Sequence, residues 1–172
     1  MKKYILLSNF ILVICLSLTA QEATSVSMPS GKEIYIPKDL QGMDLQNPDS
    51  KWSYHRMAYT DNFVIFWEKG FGNDLSNPPQ LEGHDMKVDL SNLTEKLESF
   101  YHFFRDTLKF SKPGSKCDKY RMMVMLNYSL EGTAYGGDYD GEIGALWIAP
   151  NRVQDKNCLL YTSDAADEAR SV

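Results

Sequence analysis

Three carboxylates in the stretch GGDYDGE, Asp138, Asp140 and Glu142, stand at alternate positions among glycines. Oxygen ligands spaced in this way are what a tight loop around a hard cation such as calcium needs. The stretch stops short of an EF-hand, since no Glu follows at the distance that closes such a loop, and a flexible acidic loop accounts for the same residues. The chain's three histidines are His55, His84 and His102. They could serve zinc if two shared a helical face, as the four-residue spacing of H-E-x-x-H provides, but they have no such spacing. His102 falls in an aromatic segment one turn after Glu98, which suits a locally paired imidazole better than a ligand. Cys117, in SKCDKY, would need a neighbouring base to act as a nucleophile, and the sequence identifies none; an inert residue at a strand entrance needs no partner. A Walker loop, a G-x-S-x-G elbow and a dinucleotide fingerprint are all absent from the sequence. With 23 acidic residues, a carboxylate pair for glycoside hydrolysis cannot be singled out.

These residues have to be positioned by a small number of elements. Phe63 to Trp67, FVIFW, is apolar without alternation, as a strand buried on both faces is. Tyr120 to Tyr128, YRMMVMLNY, reads the same way and predicts a central strand. Ile143 to Ala149 is a third apolar strand, fed by the Gly- and Asp-rich stretch from Tyr135 and ended by Pro150. Between the first two strands, Leu90, Leu93, Leu97, Phe100, Tyr101, Phe104 and Leu108 recur at three- and four-residue steps. They predict a helix over Leu90 to Leu108 whose apolar stripe packs on a sheet. Asp89 is its N-cap, and Val88 with Leu93 make a hydrophobic staple. Glu33 to Ile36 predicts a short strand, Lys38 to Lys51 a surface connection, Thr60-Asp61-Asn62 a turn, and Glu68 to Gly83 a long loop. The fold class that follows is α+β: a mixed β-sheet backed by a long amphipathic helix.

Composition narrows the setting. The chain has 172 residues, 43% hydrophobic and 24% charged, which is enough for one domain with a core. A net charge of -5 without a Lys/Arg cluster argues against nucleic acid. Lys2 and Lys3 precede an apolar run, Ile5 to Leu18, and Ala20 is a small residue before a cut: residues 1–20 read as a signal peptide, too short for a comfortable membrane span. Ile14 stands where a lipobox needs a small residue, which argues against lipidation at Cys15. The expected location is secreted, periplasmic or cell-surface, with no transmembrane span in the mature chain. Residues 21–51 then read as a flexible leader and short strand, and 52–157 as the domain. Residues 158–172 differ in character. CLLYTSDAADE, Cys158 to Glu168, resembles a translated sequencing-library adaptor, so the tail is expected to be non-native and carries no function here.

The run WSYHRMAYTDNFVIFWEKGFG, the helix with Phe100 and Tyr101, then DKYRMMVML and GALWIAP together resemble a family of secreted bacterial domains of unknown function. These are frequent in gut and soil Bacteroidetes and look related to gluzincin-type zinc metallopeptidases. The resemblance covers about Trp52 to Asn151. It implies the N-terminal part of a zincin-like domain, with Gly144, Ala145, Leu146 and Trp147 as the sheet edge that pairs with an extended peptide. Gly144 and Ala145 would leave the backbone approachable and Trp147 would wall a pocket. It also implies zinc in a complete relative, held by a His-Glu-x-x-His helix after this strand. This sequence has no such motif, so no metal or catalytic residue carries over and the chain as given is expected to be inactive and poorly stable. The alternative is a non-catalytic secreted module that binds glycan or peptide, with Trp52, Trp67 or Tyr139 stacking on sugars.

Overall fold

A computed structural model describes residues 25–26, 31–132 and 134–154. In chain order the elements are β1 (Ser25–Val26), β2 (Ile34–Tyr35), α1 (Lys38–Gln41), β3 (Met57–Tyr59), β4 (Phe63–Trp67), α2 (Leu90–His102), α3 (Lys116–Lys119), β5 (Met122–Leu126), β6 (Ala134–Tyr139), β7 (Ile143–Ile148) and α4 (Pro150–Gln154). Five strands form one mixed sheet in the order β3-β4-β5-β7-β6. β4, β5 and β7 are parallel, while β3 and β6 run antiparallel at the two edges. β1 and β2 form a separate two-stranded ribbon.

The apolar runs of β4 and β5 have the physical cause expected of them. Both strands lie inside the sheet, and alternate residues enter two separate cores. Val64, Phe66, Met123, Met125 and Ala145 point to a first face, where Ile34, Ile36, Leu40, Leu45 and Trp52 cover them. Phe63, Ile65, Trp67, Val124, Leu126 and Ile148 point to a second face, where Val88, Leu93 and Leu97 meet them. Burying each such side chain contributes about 1.5–3 kcal/mol. The segment read as a leader and surface connection is therefore the lid of the first core: Leu40 and Leu45 are buried. Arg56, itself buried, ties that segment down by donating to the carbonyls of Pro48, Ser50 and Lys51.

The helix on the second face begins as its sequence predicts. The Asp89 side chain accepts from the Asn92 amide at 3.0 Å, and Val88 and Leu93 are both buried in one cluster. Its end differs. After His102 the chain widens into a π-helical turn, Phe103–Thr107. There the apolar stripe leaves the core, so Phe104 is 38% exposed and Phe110 is 74% exposed.

A second difference bears on the site. The Gly- and Asp-rich stretch expected as a loop is mostly a strand, β6, paired along its length with β7 from Ala134 opposite Ile148 to Tyr139 opposite Ile143. Asp140 and Gly141 make the turn, with φ of 56° and 67°. Both are residue types that tolerate this left-handed backbone, which matches the twist of a hairpin.

Candidate functional site

Because β6 lies outside β7, the residues Gly144, Ala145, Leu146 and Trp147 are not the sheet edge. The expectation that they form it is corrected: their strand is hydrogen-bonded to β5 on one side and to β6 on the other. The open edge is Ala134–Tyr139, in which Ala134 to Asp138 are all exposed. Gly136 and Gly137 strip side chains from its middle.

The four residues divide between the two faces. On the second face a cleft of about 750 Å³ opens beside the edge. Gly136, Gly144 and Leu146 form its sheet side, and Phe100, Phe104 and Phe110 its helical side. The one charged side chain in its wall, Arg105, is paired with Asp118 at 2.5 Å. Val153 of α4, directly after β7, also lines the cleft. On the first face Trp147 is held between two tyrosines of β6. Tyr135 stacks on it with ring centroids 4.8 Å apart and planes 10° from parallel. Tyr139 meets it edge-on at 4.9 Å. Gly137 lies beneath the indole: a side chain there would begin 3.3 Å from Trp147 Cζ3.

The model of a family of unknown function, DUF6055, matches residues 26–161. The chain belongs to the DUF6055 family. No curated protein and no solved structure matches it. The DUF6055 match spans both faces of the sheet, the cleft and the β6–β7 hairpin.

Within this DUF6055 chain the candidate ligand residues separate. Asp138 accepts from the Gly141 amide at 2.7 Å and so shapes the hairpin turn. Asp140 takes the Tyr35 hydroxyl and the Lys38 amide, both at 2.9 Å, and pins the turn to the first-face cover. Glu142 pairs with Lys116 at 2.9 Å. Each carboxylate thus has a local structural partner, and they do not converge on a cation. The histidines are also apart. His55 meets the Gln46 carbonyl at 3.1 Å, His84 sits in a turn bridging to Leu81, and His102 meets Asp106 at 2.8 Å, nearer than Glu98 at 3.8 Å. Among the described residues no group of three His, Cys, Asp or Glu could hold a metal ion.

Cys117 lines the cleft and is half-buried. Burial pushes its thiol up, but hydrogen bonds from Ser111 and Ser115 and the Arg105 charge outweigh this and hold it below the ordinary thiol value. Trp52 and Trp67, expected as sugar-stacking surfaces, are each only 6% exposed and belong to the two cores. The exposed aromatics on this sheet are instead Tyr59 on β3 and Tyr135 on β6. The signal for Tyr135 is the i, i+2, i+4 pattern Tyr135-Gly137-Tyr139, visible only once the stretch is read as a strand. Residues 1–24 and 155–172, including the signal peptide, Cys15 and the adaptor-like tail, lie outside the described residues. No helix among the described residues is long and apolar enough to cross a membrane.

Proposed function

We propose that residues 52–157 are the sheet-and-helix part of an exported zinc-metallopeptidase-like domain, and that this chain holds an extended peptide without cleaving it. One observation carries the reading: an open, glycine-centred strand edge runs beside an apolar cleft. An extended peptide gains main-chain hydrogen bonds from such an edge, and alternate side chains of that peptide then fall toward the cleft. The edge belongs to β6, so Gly144 and Leu146 serve as cleft floor, while Ala145 packs in the first core and Trp147 supports the strand from that far face. Val153 of α4 lines the cleft just after β7, and the resemblance puts the metal-holding helix after this strand. The sequence has no H-E-x-x-H, so no hydrolytic step is assigned to any of its residues.

The test has two arms. The chain as given is expected to bind unstructured peptides without cleaving them, and Gly136→Pro is expected to abolish binding by blocking the edge. The natural gene, read beyond codon 157, is expected to encode H-E-x-x-H within a few dozen codons and to yield chelator-sensitive peptide cleavage. A continuation without that motif rejects the metallopeptidase ancestry; unchanged binding by the proline variant rejects the edge as the peptide site.

A further inference from the structure

We infer that the β6–β7 hairpin carries a stacking platform for a neutral oligosaccharide on its first face, centred on Tyr135. Its partners Trp147 and Tyr139 pack on the first-face core, while Tyr135 also borders the cleft, and the platform does not depend on the peptide reading. Tyr135 is 55% exposed, and its ring is stacked on one side only. One side lies flat on Trp147, which Tyr139 braces from the opposite direction over Gly137. The open side of the Tyr135 ring is therefore a fixed, flat aromatic surface. Holding an aromatic ring in place beforehand removes much of the entropy lost when a ligand stacks on it. The axial C–H face of a pyranose is the chemistry such a surface accepts.

The charges around the hairpin select among saccharides. Asp39 of α1, Asp138, Asp140 and Glu142 supply four carboxylates, against Lys38 and Lys116. Asp140 is taken up by Tyr35 and the Lys38 amide, Glu142 by Lys116, and Asp138 by the turn. Asp39 stands close enough that its charge adds to burial in raising the Tyr139 phenol above its ordinary range. With four carboxylates against two lysines in this part of the chain, the local charge disfavours uronic acids. A cross-strand pair could stabilise a sheet edge without binding anything. However, Gly137 yields its side chain so that Trp147 can lie between the tyrosines, and the outcome is an aromatic face held at the surface.

Titration of the purified chain with cellohexaose, xylohexaose, maltoheptaose and an oligogalacturonate tests this, read by calorimetry and by tryptophan fluorescence. Trp52 and Trp67 are buried, so a fluorescence change on binding reports Trp147. Millimolar or tighter binding of at least one neutral oligosaccharide is expected, with the oligogalacturonate weaker. Tyr135→Ala is expected to weaken binding about tenfold and Tyr135→Phe to preserve it. Asp39→Asn, which alters no core residue, is expected to narrow the gap between the neutral oligosaccharides and the oligogalacturonate. Absence of binding by all three neutral sugars, equal affinity of wild type and Tyr135→Ala, or preference for the anionic oligomer or for an aromatic peptide overturns the inference. Equal melting temperatures of wild type and Tyr135→Ala establish that any loss is local.

Discussion

The ring of Tyr128 occupies the space that a side chain at Gly70 would need. A Cβ at position 70 would lie 2.2 Å from Tyr128 Cδ1, far inside van der Waals contact. Tyr128 cannot easily move aside, since it meets Phe71 edge-on at 5.0 Å and donates its hydroxyl to the Pro79 carbonyl. Gly70→Ala is therefore expected to destabilise the domain by about 1–3 kcal/mol, the range of an overpacked core. Gly144→Ala is the informative contrast. Its Cβ would lie 2.8 Å from Met122 Cε, the end of a flexible side chain that can re-aim. That variant is expected to cost less than about 1 kcal/mol. Urea unfolding of the two variants side by side checks the pair.

Acid stability should depend on one carboxylate that joins the helix to the sheet. Glu98 accepts from the Asn62 backbone amide at 2.9 Å and from its side-chain amide at 2.6 Å. Burial pushes the Glu98 carboxyl up, but hydrogen bonds from Thr60 and Asn62 and the His102 charge pull it below the ordinary value. A depressed folded pKa gives stability that is present above the unfolded value, about 4.3 for Glu, and is lost as pH falls through the folded value. Glu98→Gln is thus expected to lower the melting temperature at neutral pH. The gap to wild type should narrow below the ordinary carboxylate range. A constant gap across that range would show that the ionised form is not what stabilises the turn.

At the basic end the reporter is Tyr35. Burial first, and then the hydrogen bond to Asp140, push its phenol up to about 12. The raised group stabilises the fold fully below the unfolded value of about 10. That stability is lost as pH climbs from there to about 12. Tyr54, Tyr101 and Tyr139 are also raised by burial, so difference absorbance of phenolate is expected to show a late-titrating component that loses its last-titrating part in Tyr35→Phe. Asp140→Asn should bring that titration to lower pH, because it removes the negative charge while leaving the burial.

Much of the sheet is legible in the amino-acid sequence, and the reason is specific. Phe63 to Trp67 and Met122 to Leu126 are apolar on both faces, and a parallel strand inside a sheet demands that pattern. The cap at Asp89 and the staple of Val88 and Leu93 are local chemistry and are legible for the same reason. The edge is harder to read because Gly136, Gly137 and Asp138 look like loop residues, and the hairpin signal is the dipeptide Asp140-Gly141 further on. The site follows the edge. Once β6 is a strand, Gly144 to Trp147 move one place inward, and Tyr135 becomes a surface aromatic. The burial of Trp52 is not legible because it depends on residues 31–54 folding back over the first face, a long-range contact with no local signature.

The cleft itself makes the last prediction. Phe104 and Phe110 stack at 5.5 Å with planes 20° apart, at the end of a helix stripe that has run past its sheet. Contiguous exposed apolar surface of this kind marks a binding site or an aggregation liability. An environment-sensitive apolar dye is expected to bind the folded chain, and Phe110→Asp, at a residue 74% exposed, to reduce that binding sharply. Because Phe110 buries little, the substitution should change stability by no more than about 0.5 kcal/mol. Leu97→Ala provides the opposing case. Leu97 is buried beneath the same stripe, so its loss should cost about 2–5 kcal/mol, with a much smaller direct effect on dye uptake while the chain stays folded. If Phe110→Asp instead lowers the melting temperature as much as Leu97→Ala does, the ring is part of a core, and the cleft is not an open surface in solution.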